Sequence, residues 1–488
     1  MNPLIAQYAI STQHYIGGAR VDSSESFEVF SPIDQSNLAR VAQASADQVH
    51  DAVSAAVLAF PGWSSFTAAQ RRDVLHAFAA EIGKRKEAFC DVESTDAGVL
   101  RSRMAHGVVA RAMLNITYFA DAALTLQDRT LETAQATHYI RHDPAGVCAI
   151  ITPWNAPLML TTWKLGPALA AGNTVVIKPP EWAPLTCSLL ADCAQAAGLP
   201  AGVFNVVQGA GDTTGAALVR DPRVSRISFT GSAATAKLIA GAAAKNLTPV
   251  SLELGGKSPF IVLADADIQA AAACGALMYR NATQVCLAGT RFLVHASVRD
   301  AFVEAMRAVV EKLIVGDPRD AATEVGPIIH PRQVARVQGF VDRALASGAR
   351  ALWGGKPHAF GAQYFQPTML DLVKQDSEIV QEEVFGPVLT LQTFDSDDEL
   401  IALANDTQYG LGGVCYGETV HATELAKRVR CGFIWVNSFS IRDLAAPFGG
   451  CKQSGIGREG GDWSFDFFCD VKDVMTPKQP FVASFAHR

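Results

Sequence analysis

Charge is scarce in this chain of 488 residues. Asp, Glu, Lys and Arg make up 18% of it, where about 25% is usual. There is no run of five like charges, and the net charge is −7. That balance excludes a general nucleic-acid binder, which needs a basic surface. No basic residue precedes Arg20, so the start lacks the positive charge of a signal or transit peptide, and a cytoplasmic location is expected. No C-x-x-C pair occurs among the ten cysteines. Their scattered spacing reads as reduced thiols buried as small hydrophobes, of which one could be chemical. No metal site is expected: His138 and His142 are four apart, but HYIRH reads as a strand without a carboxylate partner. Low-complexity linkers and fixed-period repeats are also missing.

The longest charge-free stretch, Pro144 to Trp163, runs twenty residues. Its length suits a membrane span, but its content does not. Pro144, Pro153 and Pro157 break the internal hydrogen bonding that a lipid-embedded helix requires. No membrane partner is expected.

What is present is size, a hydrophobic fraction of 49% and alternation. About 100–200 residues per domain suggests two to four domains, with room for cores that need no staples. Residues 45–125 carry apolar and charged positions at helical intervals. From residue 138, strand-like runs alternate with helices: 146–151, 163–172, 174–179, 185–200, 203–209, 213–222, 224–231 and 234–245. A second alternating block follows: 258–263, 267–280, 290–295, 297–313, 386–394, 397–405 and 431–437. Such alternation means βαβ units and parallel sheets in two α/β domains. The end of the chain, with SFDFFCDVKDVMTP, alternates apolar and polar residues and reads as a strand whose partner need not be in the same chain.

Several loops carry residue types suited to chemistry. ITPWNAP (151–157) follows a buried strand, where α/β folds place ligands. Asn155, flanked by Trp154 and two prolines, is a stiffly held neutral donor of the kind that stabilises an oxyanion. Taken alone, it reads more readily as a turn residue satisfying its own backbone. In KPPEW (178–182), Lys178 and Glu181 could contact the hydroxyls of an adenosine ribose, or form an exposed ion pair of little worth. GAGDTTG (209–215) and FTGSAATA (229–236) resemble phosphate loops without matching G-x-G-x-x-G, and also suit ordinary βα turns. Glu253, in LELGGKSP, would be desolvated and raised toward a general base, or paired to a lysine. Cys286, in NATQVCLAGTR, lies in a loop between a helix and a strand. That context suits an accessible nucleophile, and the alternative is a buried inert thiol. EEVFGPV (382–388) and PFGGCKQSGIGREGG (447–461) are further loops punctuated by Gly and Pro.

Taken in order, PWN, KPPE, FTGS, LELGGKSP, QVCLAGTR, EEVFGPV and PFGGCKQSGIGRE resemble the signatures of the aldehyde dehydrogenase family over essentially the whole chain. The resemblance implies a Rossmann-type NAD-binding domain (1–122 and 144–253), an α/β catalytic domain (254–454) and a small β oligomerisation segment (123–143 and 455–488). It implies Cys286 as nucleophile, Glu253 as general base, Asn155 as oxyanion donor and Lys178 in the catalytic set. Contacts to NAD are implied for Thr152, Pro153, Trp154, Lys178, Glu181, Gly211, Phe229, Gly231, Ser232, Glu383 and Phe385. Glu181 would accept a free ribose 2′-hydroxyl and repel a 2′-phosphate, favouring NAD over NADP. A homodimer or homotetramer is implied. Three departures stand out. Thr283 takes the place of a Gly before Gln-x-Cys, Ala236 replaces the last Gly of its loop, and the interval from Glu253 to Cys286 is one residue short.

The finer resemblance is to 2-hydroxymuconic and 5-carboxymethyl-2-hydroxymuconic semialdehyde dehydrogenases, through KPPEWAPLT and SIRDLAAPFGGCKQSGIGREGG. It implies Arg111 and Arg442 facing a substrate carboxylate, with Trp163 and Phe448 beside the substrate. Ala445 stands where that branch has a second Arg, and Arg442 could instead pair with Asp443. Two other readings stay open. One is an aromatic aldehyde walled by Trp163, Phe439 and Phe448. The other is a catalytically silent structural or binding member of the fold.

Overall fold

Strands that are apolar at every position need cover on both faces, and this sequence builds its sheets around such strands. Val147–Ile151 and Thr174–Lys178 are buried at each residue. A computed structural model describes residues 3–126 and 128–480. Its first sheet has eight strands, in the order Gly455–Ile456, Val250–Leu254, Val224–Gly231, Val147–Ile151, Thr174–Lys178, Phe204–Val206, His14–Ile16 and Ala19–Val21. The five central strands are parallel, and the edges are antiparallel. A second sheet of seven strands is built around Ser258–Val262, Gly289–His295 and Val388–Phe394, again parallel. The fold class is therefore mixed α/β.

The helical N-terminal region resolves into Ala46–Ser64, Ala68–Lys84, Lys86–Asp96 and Val109–Ala122. Ser45 and Thr67 close the first two with complete capping boxes, which satisfy otherwise orphaned N–H groups. Between the last two helices, Met104–Val108 forms a π-helical turn in which Val109 N–H donates to the Met104 carbonyl.

Several expected elements differ. The helix expected from 163 begins at Pro157, because proline suits the first helical turn. The strand expected over 431–437 shrinks to Trp435–Val436. SFDFF is not strand: Gly461–Phe468 is a helix that buries Phe465 and Phe468 on one side. The strand that follows, Cys469–Pro477, pairs antiparallel with Ala136–Pro144 of the same chain. That three-stranded sheet leaves Cys469–Pro477 at its edge. HYIRH does lie in a strand, but His138 has a carboxylate partner, Asp473, at 2.7 Å. Among the described residues no group of His, Cys, Asp and Glu could hold a metal, and no helix is long and apolar enough to cross a membrane.

Candidate active site

The chain runs outward from Val147–Ile151 through Thr174–Lys178 to Phe204–Val206, then crosses back to add Val224–Gly231 on the other side. That reversal opens a crevice at the carboxyl ends of Val147–Ile151 and Val224–Gly231, where open α/β sheets bind ligands. A cleft of about 860 Å³ lies there. Pro153 and Trp154 line it from one strand end, and Gly231 and Ser232 from the other. Ser232 caps the helix Ala233–Ala243, whose first residues face the cleft and offer N–H groups to an anion. Trp154, Trp182 and Phe385 form an aromatic wall, with Trp154 5.3 Å from Phe385 and 6.0 Å from Trp182 between ring centroids. On the floor, glycine lets the Glu383 carboxylate lie against the backbone. A Cβ on Gly255 would lie 2.0 Å from Glu383 Oε2, and Gly256 N–H donates to Glu383 Oε1 at 3.0 Å.

Behind the cleft is an inner cavity of about 100 Å³ lined by Asn155, Trp163, Glu253, Cys286, Arg442 and Phe448, among others. Cys286 and Asn155 line both spaces. The thiol thus stands at the junction of a large open cleft and a small, mainly apolar chamber. Seven of the ten cysteines are buried, and of the three with intermediate exposure only Cys286 lines these two spaces. Asn155 Nδ2 donates to the Gln284 carbonyl at 2.8 Å, so its second N–H remains for a ligand at the thiol.

The electrostatics set an acid–base pair apart from its surroundings. Both oxygens of Glu253 are buried without a hydrogen-bond partner. Burial pushes this carboxyl well above its ordinary value, and the neighbouring charge of Glu459 pushes it further. Gly449 presses on it: a Cβ there would lie 2.7 Å from Glu253 Oε1. Burial also pushes the Cys286 thiol up to about 12, with Glu383 adding to the rise and Arg442 opposing it. Glu459 is held by Lys164 Nζ and by Trp163 Nε1, each at 2.5 Å. Glu459 closes the PFGGCKQSGIGRE motif, but its pairing with Lys164 joins segments 295 residues apart and does not show in the sequence.

Other residues expected at the site fall elsewhere. Lys178 lines neither the cleft nor the cavity. Its ammonium donates to the Pro179 carbonyl at 2.8 Å and to Glu181 at 3.2 Å, while the Glu181 side chain stays 43% exposed and open to a ligand hydroxyl. Thr152 is buried behind the loop. Phe229 belongs to the core under the cleft, its ring so close to Gly231 that a Cβ there would meet it at 2.4 Å. Gly211 begins an exposed π-helical turn outside both spaces. Phe439 packs on Trp435, outside the cavity wall.

The arginines also rearrange. Arg442 makes no ion pair with Asp443, whose Oδ1 accepts the Ala445 N–H. Its guanidinium lies 4.0 Å over the Phe448 ring and 4.7 Å over Trp163, and burial lowers it to about 10. Arg111 stands behind it, donating to Asn115 Oδ1 and the Arg442 carbonyl at 3.1 Å each, and does not line the cavity. The second arginine in the cavity wall is Arg103, which sequence reasoning missed.

The departures near the thiol have physical form. Asn281, Ala282 and Thr283 are all left-handed, at φ of 54°, 51° and 55°. Thr283 holds a conformation that costs a β-branched residue energy, and its hydroxyl is buried without a partner. Ala236 needs no such tolerance: it sits inside a helix, and its Cβ fills core.

A model of the aldehyde dehydrogenase family matches residues 20–474. The chain is 40% identical over 479 residues to a 2-hydroxymuconic semialdehyde dehydrogenase of Pseudomonas sp. (strain CF600), covering 95% of this chain and 98% of that one. Among solved structures, it matches betaine aldehyde dehydrogenase from Staphylococcus aureus in complex with NAD+ with a TM-score of 0.96, at 33% identity over 99% of each chain. It matches HpcC from Thermus thermophilus with a TM-score of 0.94, at 38% identity over 98% of this chain and 95% of that one.

Proposed function

Because the chain belongs to the aldehyde dehydrogenase family, we propose that Cys286, Glu253 and Asn155 oxidise the aldehyde group of a carboxylated semialdehyde to a carboxylic acid. The enzyme is an NAD-dependent aldehyde dehydrogenase. The outer cleft suits the dinucleotide. Helix N–H groups beside Ser232 would hold the pyrophosphate, the exposed Glu181 carboxylate would accept ribose hydroxyls, and Trp154, Phe385 and Glu383 would hold the nicotinamide end. Of the described residues, 3–122 and 144–253 belong to the cofactor domain and 254–454 to the catalytic domain. Residues 455–468 join the cofactor domain, where their strand extends the sheet and their helix packs in the core. The sheet of Arg129–Glu132, Ala136–Pro144 and Cys469–Pro477 serves as the oligomerisation segment. The exposed edge of Cys469–Pro477 suits a homodimer or homotetramer.

The Cys286 thiolate attacks the aldehyde carbon and forms a C–S bond. The oxygen becomes an oxyanion, held by the free N–H of Asn155 and a backbone N–H. NAD, when bound, supplies the acceptor for the hydride that leaves the former aldehyde carbon. Cys286 then carries a thioester. Glu253 takes a proton from water, the resulting hydroxide attacks the acyl carbon, and the C–S bond breaks to return the thiolate and release the acid. The apolar chamber keeps bulk water from competing.

The carboxylate reading rests on one observation: Arg442 is a half-buried cation in the cavity wall that makes no direct ion pair among the described residues, and the more distant charges of Glu459 and Glu253 reach it. Desolvation disfavours the charged guanidinium, and a substrate carboxylate would give it the direct partner it lacks. An aromatic aldehyde finds less support, because Arg442 covers the faces of Phe448 and Trp163. A catalytically silent member finds less still, since Cys286, Glu253 and Asn155 converge on one chamber. The test compares Arg442→Ala with the parent on 2-hydroxymuconic semialdehyde and on benzaldehyde, reading NADH formation. A large rise in KM for the acid alone is expected, and equal effects on both substrates would refute the reading.

A further inference from the structure

Two cysteines outside the active site lie side by side at its edge. Cys431 and Cys451 are free thiols of intermediate exposure, and neither lines the cleft or the inner cavity. The Gly410 carbonyl accepts both the Gly432 N–H, at 3.1 Å, and the Cys451 N–H, at 2.9 Å. Cys451 Sγ donates to the Arg430 carbonyl at 3.4 Å, on the peptide bond that enters Cys431. Cys431 Sγ donates to the Phe433 carbonyl at 3.1 Å. Glycine makes this approach possible. A Cβ on Gly432 would lie 1.6 Å from the Gly449 carbonyl oxygen, and one on Gly410 would lie 2.5 Å from Cys451 Sγ.

The surroundings suit thiol chemistry. Arg430 and Cys451 both act on the Lys452 ammonium, so positive charge gathers beside this thiol, the setting in which accessible cysteines react. Burial pushes the Cys431 thiol up to about 12, and Cys451 adds to the rise, so the two sulfurs sense each other. The pair is also joined to the active site. Gly449, two residues before Cys451, presses on Glu253. Phe433, two residues after Cys431, stacks on Phe448 with centroids 5.0 Å apart, and Phe448 lines the inner cavity.

We propose that Cys431 and Cys451 are a peroxide-sensitive thiol pair, whose closure to a disulfide slows the enzyme through the turn that bears on Glu253. Hydrogen peroxide is the oxidant. The Cys451 thiolate attacks a peroxide oxygen: an S–O bond forms, the O–O bond breaks, and the departing hydroxide takes a proton to leave as water. Cys431 loses its proton and attacks that sulfur. The S–S bond forms, the S–O bond breaks, and a second water leaves. Two electrons pass from the sulfurs to the peroxide. Each sulfur gives up its carbonyl to reach the other, so the turn from Gly449 to Cys451 shifts. A small thiol reverses the bond by exchange. The slowing rests on the reading of Glu253 as base, and the disulfide itself does not.

The experiment treats the full chain, with NAD bound, with hydrogen peroxide. It maps the cysteines by peptide mass spectrometry and follows kcat before and after dithiothreitol. The parent is expected to give a Cys431–Cys451 cross-link within one chain, and at least a halving of kcat that dithiothreitol restores. Cys451→Ser and Cys431→Ala should keep the untreated kcat and lack that recoverable fall. Oxidation of Cys286 lowers all three proteins alike, so the difference between parent and variants reads the pair. A Cys451 sulfinic acid with Cys431 left free, a cross-link between chains, or one that includes Cys286 would overturn the proposal. So would a mapped Cys431–Cys451 bond with a recoverable fall no larger than in the variants. If Glu253→Gln hydrolyses its thioester at the parent's rate, the reading of Glu253 falls by itself, and a mapped bond with a recoverable loss still supports the pair.

Discussion

Lys164 meets Glu459 at 2.5 Å inside the protein, with no exposure of the lysine side chain and 7% of the glutamate's. This buried pair sets the charge beside Glu253. Glu459 raises the Glu253 carboxyl and Lys164 lowers it, with Glu459 the larger of the two effects. Glu253 works as a base only when ionised, so the rate rises with pH through its raised pKa. Glu459→Gln removes the opposing negative charge and leaves Lys164, and both changes favour ionised Glu253. The acidic limb of the kcat profile should therefore move to lower pH. The variant also strands a buried ammonium, at a cost of about 3–5 kcal/mol in stability. A pH profile with urea unfolding separates the two effects. An acidic limb that stays in place would show that Glu459 does not tune the base.

Glu93 fixes the start of the helix that follows Asn155. Its Oε2 accepts the Leu158 N–H at 2.9 Å, three residues after Asn155, and Thr186 at 3.3 Å. Oε1 is buried without a partner, and burial raises the carboxyl to about 7. An acid whose folded pKa is raised binds more protons folded than unfolded, so stability falls as pH climbs from about 4.5 to about 7. Glu93→Gln keeps an acceptor for Leu158 and removes the titration, so the decline over that window should flatten. Glu93→Ala leaves the Leu158 N–H unsatisfied, costs about 1–3 kcal/mol, and should lower kcat through the displaced Asn155 loop. Thermal melts across and beyond that pH window, with kcat measurements, check both. An unchanged slope in Glu93→Gln would place the titration elsewhere.

The residues legible in the sequence are those whose role follows from local position. Asn155 and Glu253 end parallel strands, and Cys286 opens one, so strand order alone brings their loops together. Val224–Gly231 and Asp397–Asn405 also match their expected limits, because turn residues bound a clear period. Packing between distant segments was not legible. Glu459 lies in a motif visible in the sequence, but its partner Lys164 looks like an ordinary surface charge until the helix Pro157–Ala170 meets the loop before Gly461. Arg103 looks like Arg101, and only the fold shows that Arg101 meets Asp91 and Glu87 while Arg103 lines the inner cavity. SFDFF alternates like a strand, yet its apolar residues also fall three apart, and a helix buries Phe465 and Phe468 together. The resemblance implies one role for Arg111 and Arg442, but Arg111 spends its hydrogen bonds on Asn115 and the Arg442 carbonyl, a distinction that no one-dimensional pattern carries.

The strained loop before the nucleophile gives the last prediction. Thr283 is left-handed at φ 55°, and its Oγ1 is buried without a partner. Left-handed backbone costs a non-glycine residue about 1–3 kcal/mol, and an unmet hydroxyl about 1–3 more. Glycine at this position removes both costs. It adds about 0.5–1 kcal/mol of chain entropy to the unfolded state and loses two buried carbons, Cβ and Cγ2, worth about 1.6 kcal/mol together. The balance favours the variant. Thr283→Gly should raise the urea midpoint without changing the slope, by roughly 1 kcal/mol when the terms are combined. Gln284 anchors the next step of the loop, through Ile329 N–H to its Oε1 at 2.9 Å and Nε2 to the Pro327 carbonyl at 3.1 Å. The Cys286 position should therefore survive, and kcat should change little. A lower midpoint would mean that Thr283 packing outweighs the backbone strain. A large loss of kcat at a higher midpoint would mean that the strain itself holds the thiol in place.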